Sequence, residues 1–140
     1  MTTASTTQTA EILRTAADLI QTRGLYKGAF VDPHQVPETA PLCALGAIDV
    51  AAGISRPHYD KTYGRTYLSG VGTTPEPGAL AASGVASDLL REEIGGAVAM
   101  WNDDRKRTKG EVVNAIRRTA DRADPPYQRR IRKAWSKLWT

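Results

Sequence analysis

The chain has 140 residues, of which 41% are hydrophobic and 24% charged, so its composition is that of an ordinary globular protein and not of a disordered one. The single cysteine excludes an intramolecular disulfide and a thiolate-rich metal site and fits a cytoplasmic protein, and no apolar run is long enough to span a membrane. The net charge of +4 hides an asymmetry, because residues 1–100 carry 7 Lys/Arg against 10 Asp/Glu, whereas residues 101–140 carry 12 against 5.

The first predicted element is an amphipathic helix over residues 9–23. Apolar residues recur along it at helical spacing, and Gly24 follows as a C-terminal stop. The Thr-rich residues 1–8 before it are predicted to form a flexible tail, because they have neither a basic start nor an apolar core.

The most apolar run lies between Pro41 and Gly53, and it predicts a central buried helix over residues 42–52. Pro41 suits the first turn of such a helix, and Thr39 is the better candidate for its cap. Gly46 costs roughly 1 kcal/mol against alanine in a helix, which indicates that a neighbouring backbone approaches closely there. The turn at residues 101–103 is the first candidate for that neighbour.

Residues 54–78 are rich in glycine and proline and predict a long irregular loop, of the kind that serves as a lid or a binding segment. Tyr59, Tyr63 and Tyr67 recur there at a spacing of four, which is compatible with one helix face, although Gly64 weakens that interpretation. The three tyrosines are candidate binding residues.

The second half of the chain is predicted to be helical. A helix is expected over 79–94, residues 97–101 form a short buried helical turn or a strand, and Thr108 with Glu111 has the form of a capping box that opens the next helix. The fold class is therefore all-α, with four or five helices in one domain over residues 9–124. A basic amphipathic helix follows at 125–140 and is expected to dock on the domain by its tryptophan stripe. Its candidate binding residues are Arg129, Arg130, Arg132, Lys133, Lys137, Trp135 and Trp139.

Three blocks of the chain resemble a family of small actinobacterial and phage proteins described only as a domain of unknown function. The blocks are residues 42–48 with 51–53, residues 101–103, and residues 107–117. The resemblance covers roughly residues 9–53 and 80–123, leaving out the 54–79 loop and the basic tail. It implies no particular reaction.

Cys43 is the one candidate nucleophile. Near the first turn of a helix, a thiol loses its proton more easily, and His34 with Asn102 and Asp103 could supply a base and an orienting group. The alternative is that Cys43 is a small buried hydrophobic residue, which its apolar neighbours favour. Asn102 and Asp103 could likewise bind a ligand, but such a pair more often caps a helix or closes a turn.

Three functions follow from these observations. The favoured one is a small helical binding or regulatory module that acts through protein contacts. The alternatives are a cysteine-dependent hydrolase or transferase that uses Cys43, and non-specific nucleic-acid binding through the basic residues 105–137. Two isolated histidines and one cysteine do not form a metal-ligand set, and no glycine-rich phosphate loop is present, so neither a metal nor a cofactor is expected.

Overall fold

The computed structural model describes residues 6–36, 38–54, 57–60, 64–67 and 77–138, and it confirms the all-α class. Within these residues the chain forms six helices, against the four or five predicted, and one short antiparallel hairpin. The elements in order are α1 (Thr6–Arg23), α2 (Ala44–Ala51), β1 (Pro57–Asp60), β2 (Gly64–Tyr67), α3 (Pro77–Ile94), α4 (Val98–Asp103), α5 (Lys109–Ala123) and α6 (Pro126–Leu138).

The most extensive helix pair is α1 with α5. Leu13 and Ile20 of α1 and Val112 and Ile116 of α5 are all buried in the hydrophobic core that the two helices share. The helix α1 begins at Thr6, earlier than the predicted Thr9, and ends as predicted before the glycine at position 24. The capping box of α5 is also confirmed.

The helix α2 packs against α1, α3 and α4, which explains why it is apolar nearly all round. Its one charged residue, Asp49, is buried and accepts a hydrogen bond from the Ser83 hydroxyl of α3. A buried carboxylate is tolerated where it is hydrogen-bonded, so this pair joins α2 to α3.

The start of α2 differs from the prediction, since the helix spans Ala44–Ala51 and its N-cap is Cys43. Leu42 cannot belong to the first turn because its backbone is extended and paired with the segment after α1. Its N–H donates to the carbonyl of Gly24 at 3.1 Å, and its own carbonyl accepts from Tyr26 N–H at 3.0 Å. Pro41 and Thr39 therefore precede the helix and do not cap it.

Gly46 does mark a close backbone approach, as predicted, but the neighbour is Phe30 and not the 101–103 turn. A Cβ atom built on Gly46 would lie 2.0 Å from the Phe30 carbonyl oxygen and 2.8 Å from its carbonyl carbon. Only glycine fits without a shift of that backbone, because real Cβ atoms do not come so close to other atoms.

Part of the predicted 54–78 loop is regular. The strands β1 and β2 pair antiparallel, with Pro57 opposite Tyr67 and Tyr59 opposite Arg65. This pairing corrects the helical interpretation of the tyrosine spacing at Tyr59 and Tyr67, whereas Tyr63 lies outside the described residues. Short stretches that contain aromatic and β-branched residues favour strands, and the spacing of four is incidental.

The last helix is amphipathic, as predicted, but its apolar stripe does not dock on the domain. None of its residues is buried, and Ile131 and Trp135 retain 46% and 58% exposure. Among the described residues, no other helix packs extensively against α6. Ion pairs, described below, hold it beside α5, so its apolar residues are not needed for attachment.

Candidate functional site

The first candidate site is the start of α2, where Cys43 is the N-cap. Its Sγ accepts a hydrogen bond from Gly46 N–H at 3.3 Å, and its own N–H donates to the Phe30 carbonyl at 3.1 Å. The side chain is 5% exposed, and burial raises the pKa of the Cys43 thiol to about 12. At neutral pH the residue is therefore a protonated thiol, although a helix N-terminus alone would favour the thiolate.

Asn102 of α4 is fully buried against this helix end. Its Oδ1 accepts a hydrogen bond from the backbone N–H of Ala44 at 2.9 Å, and its Nδ2 donates to the carbonyl of Tyr26 at 3.0 Å. The first N–H groups of a helix have no partner inside the helix, so Asn102 caps α2 from a distant part of the sequence. The amide thus joins three separate segments of the chain.

Asp103 completes the junction on its solvent side. Its Oδ1 accepts from the Asn102 amide at 3.1 Å and from Gly28 N–H at 3.0 Å. Beside it, the Lys27 ammonium donates to the carbonyls of Asp104 and Arg107, at 2.6 and 2.8 Å, and so satisfies the acceptors that follow α4.

The three blocks that carry the family resemblance meet at this place. Asn102 binds the start of α2, and the Arg107 guanidinium lies 4.7 Å from the centre of the Trp101 ring while its Nε donates to the Trp101 carbonyl. Arg107 also pairs with Glu111 at 2.9 Å, inside the first turn of α5. These residue types thus connect α2, α4 and α5 by hydrogen bonds, a structural role that accounts for their spacing in the sequence.

The residues of the enzyme hypothesis are brought together only in part. Asn102 does contact the helix that Cys43 caps, but through the N–H of Ala44, while the thiol faces Gly46. His34 is exposed on the loop before α2, its N–H bound to the Asp32 carboxylate at 2.9 Å. Among the described residues, no hydrogen bond joins His34 to Cys43.

The second candidate site is α6. On one flank of the helix, Arg129 pairs with Asp121 at 3.4 Å and Arg132 pairs with Asp124 at 2.7 Å. Arg132, and with it Arg14 of α1 at 3.4 Å, holds the pKa of the Asp124 carboxyl below its usual range. Asp124 is itself buried, so one carboxylate fixes α6 to α1.

The other side chains of α6 face solvent. Arg130, Lys133 and Lys137 are exposed, and Trp135 is the more exposed of the two tryptophans for which the structure gives a position. Trp139 lies outside the described residues. The sequence pattern predicts that the apolar residues of this helix pack on the domain and does not reveal that they are exposed at the surface. The exposed stripe consists of Tyr127, Ile131, Trp135 and Leu138.

The three arginines of α5 pair with acids of other helices. Arg117 pairs with Asp18 of α1 at 3.2 Å, and Arg118 and Arg122 both pair with Glu93 of α3. The Arg122 hydrogen bond is the main reason why the pKa of Glu93 is lowered. Much of the positive charge that the sequence placed in residues 105–137 is thus neutralised within the fold.

No group of acids, histidines and cysteine that could hold a metal ion occurs in the part of the chain that the structure describes. A cleft of about 140 Å³ between α3 and α5, lined by Leu89 and Thr119, is smaller than ordinary ligand pockets. A concavity of about 860 Å³ at residues 103–106 is formed by one loop and is open to solvent. Over the same described residues, no helix is long and apolar enough to cross a membrane.

The chain belongs to DUF6197, a family of unknown function, whose model matches residues 4–122. The match contains both parts of the Cys43–Asn102 junction and ends before α6 begins at Pro126. No curated protein and no solved structure matches the chain.

Proposed function

We propose that this member of DUF6197 is a small helical binding module that acts through contacts made by its C-terminal helix. One observation carries the proposal: the apolar stripe of α6 is exposed although the rest of the helix is held in place by ion pairs. Aromatic residues contribute large areas to interfaces, and Trp, Tyr and Arg dominate their energetics. All three residue types occur on α6.

The burial of Cys43 argues against catalysis at this residue. A nucleophilic cysteine needs access to its substrate and a thiolate at working pH, and this thiol has neither. The hydrogen bond that Cys43 Sγ accepts from Gly46 N–H and the contact of Asn102 with α2 are those of a helix cap. These contacts support a role in folding for Cys43 and Asn102.

The ion pairs of the basic residues argue against non-specific binding of nucleic acid. Such binding depends on cations that are available to neutralise phosphates. Arg117, Arg118 and Arg122 already pair with carboxylates of α1 and α3, and two arginines of α6 pair with Asp121 and Asp124. Arg130 and Lys137 border the exposed apolar stripe of α6, an arrangement typical of amphipathic docking helices.

The enzyme alternative is tested by alkylating Cys43 with iodoacetamide across a range of pH, in the native protein and in denaturant. We expect the native thiol to be unreactive at neutral pH and to react after unfolding. Rapid alkylation of the native protein at neutral pH, with an apparent pKa below the usual value, would contradict the proposal and restore the enzyme hypothesis.

The binding role is tested by capture from an extract of the source cells, membranes included. Ile131→Glu places a charge in the stripe, and Met100→Glu makes the same change at an apolar residue of α4 that is 79% exposed. We expect the native chain and Met100→Glu to retain the same partner and Ile131→Glu to lose it. Equal retention by all three chains would refute a role for the stripe.

A further inference from the structure

The orientation of α6 places its apolar stripe away from the body of the protein. With 3.6 residues per turn, the direction midway between Arg129 and Arg132 lies roughly 140° around the helix from the stripe. These two arginines contact Asp121 and Asp124, so their flank faces the domain. The stripe residues consequently point outward, and from Tyr127 to Leu138 they form a line about 17 Å long.

The charge on α6 is entirely positive. The helix contains five Lys/Arg and no acidic residue. Arg130 and Lys137 lie on one edge of the stripe and Arg132 on the other, by the same helical geometry. An occupant of this surface must therefore combine an apolar layer with negative charge along its borders.

A second copy of the chain does not fit these requirements. Two such helices facing each other would bring like charges together along the edges of both stripes, because neither helix contains an acidic residue. A stable protein interface buries roughly 800 Å² per partner, which is more than four partly exposed side chains on one short helix provide. A deep groove on another protein would have to enclose the helix, but the flank that pairs with Asp121 and Asp124 is already covered.

We propose that α6 docks the protein on an anionic lipid bilayer, with the helix lying in the plane of the interface. Tyr127, Ile131, Trp135 and Leu138 enter the boundary between headgroups and acyl chains. Arg130 and Lys137, on one edge of the stripe, lie beside the lipid phosphates. A flat anionic surface meets the outward stripe without enclosing the helix, and basic amphipathic helices with aromatic residues bind membranes in this way. This inference rests on the proposed function, since it names the partner of the same surface.

The experiment is co-sedimentation of the full chain with vesicles. One set contains phosphatidylcholine alone, and the other contains a mixture of phosphatidylcholine and phosphatidylglycerol. We expect binding to the anionic vesicles that is at least about tenfold tighter than to the neutral ones and weakens on addition of salt. Tryptophan emission should shift to the blue on binding, because Trp135 leaves water.

Two pairs of variants separate the stripe from overall charge. Ile131→Glu should abolish binding and Met100→Glu should retain it, although both change the net charge equally. The double variant Arg130→Gln/Lys137→Gln should bind at least about tenfold more weakly, whereas Arg105→Gln/Lys106→Gln, on the exposed loop before α5, should bind as the native chain does. An unreactive Cys43 in each variant verifies that the body is folded.

Failure to bind anionic vesicles, or equal binding by Ile131→Glu, would overturn the inference. So would a dimer in light scattering that Ile131→Glu dissociates, since a second copy would then occupy the stripe. If the chain does not bind the vesicles but retains a protein from the extract through Ile131, the lipid inference is wrong and the binding role stands. If the chain binds neither vesicles nor a protein from the extract, the lipid inference and the proposed function are both wrong.

Discussion

The close approach of Phe30 to Gly46 provides the sharpest test of the fold, because it predicts opposite effects for one substitution at two helical glycines. Gly46→Ala places a Cβ atom 2.0 Å from the Phe30 carbonyl oxygen, whereas a Cβ atom at Gly84 of α3 has nothing within 4 Å. Both glycines lie inside helices, and neither has a positive φ. The two sites therefore differ mainly in the space available.

The magnitudes follow from three contributions. Alanine gains roughly 1 kcal/mol over glycine in a helix interior; this gain applies at Gly84, and at Gly46, in the first turn of α2, it is at most as large. At Gly46 the overpacking costs about 1–3 kcal/mol. Because Phe30 also accepts the hydrogen bond of Cys43 N–H, its displacement costs about 1 kcal/mol more. We expect Gly46→Ala to lose about 2 kcal/mol of unfolding free energy and Gly84→Ala to gain about 1 kcal/mol.

The assay is urea unfolding followed by far-ultraviolet circular dichroism, with the three chains measured under identical conditions. The free energies should separate by about 3 kcal/mol, with the native chain between the two variants. A stabilised Gly46→Ala protein, or two variants of equal stability, would show that the Phe30 carbonyl does not press on α2 and would refute the packing described above.

Three further predictions concern buried polar groups. Asn102→Ala should cost about 2–4 kcal/mol in urea unfolding, because it leaves the N–H of Ala44 buried without its acceptor, and an unchanged midpoint would contradict the capping role. Arg132 lowers the pKa of the Asp124 carboxyl in the folded protein, so the ionised Asp124 contributes to the free energy of unfolding. This contribution is complete above the unfolded pKa of about 3.9 and is lost as the pH falls through the lower folded pKa. Asp124→Asn should therefore lose less stability on acidification below about pH 4 than the native chain does, and parallel acid titrations of the two would contradict this. Burial raises the pKa of Cys43 to about 12, so unfolding releases its proton and stability falls as pH rises from about 8.5. Cys43→Ser should lack that part of the alkaline loss while keeping the cap, which urea midpoints across alkaline pH would measure.

The helix ends were predictable where local chemistry decides them. Thr108 caps α5 and accepts from Glu111 N–H at 3.2 Å, as the capping-box pattern indicates. Gly24 follows α1 with a φ of 105°, a conformation that glycine adopts readily. In both cases the determining contacts lie within a few residues of each other.

The packing faces were less predictable, because they depend on distant parts of the chain. In α3 the large apolar residues Leu80 and Val85 are exposed. The buried face carries the small residues Ala82, Ser83 and Ala86 beside Leu90. Small residues allow a helix to approach its neighbours closely, and a pattern of large apolar residues does not detect them.

At the candidate site too, the sequence indicates which residues matter, but distant parts of the chain determine what they do. The sequence singled out Cys43 and Asn102, and the structure does place Asn102 at the start of the helix that Cys43 caps. Their role could not be derived from the sequence, since the burial that raises the thiol pKa comes from segments far along the chain. Cysteine is also not among the preferred N-cap residues, so the sequence pattern at Pro41 and Thr39 predicts a start for α2 that is too early.

Asp124 connects the body of the protein to the surface that we propose for binding. It lies just after α5, is buried, and holds Arg14 of α1 and Arg132 of α6 at the same Oδ2 atom. A carboxylate shared by two arginines fixes direction as well as distance, because each guanidinium must approach it from its own side. The outward orientation of the stripe therefore depends on this residue, together with the Arg129–Asp121 pair, and not on apolar packing. For this reason the helix can present four large apolar side chains to a partner without loosening its own attachment.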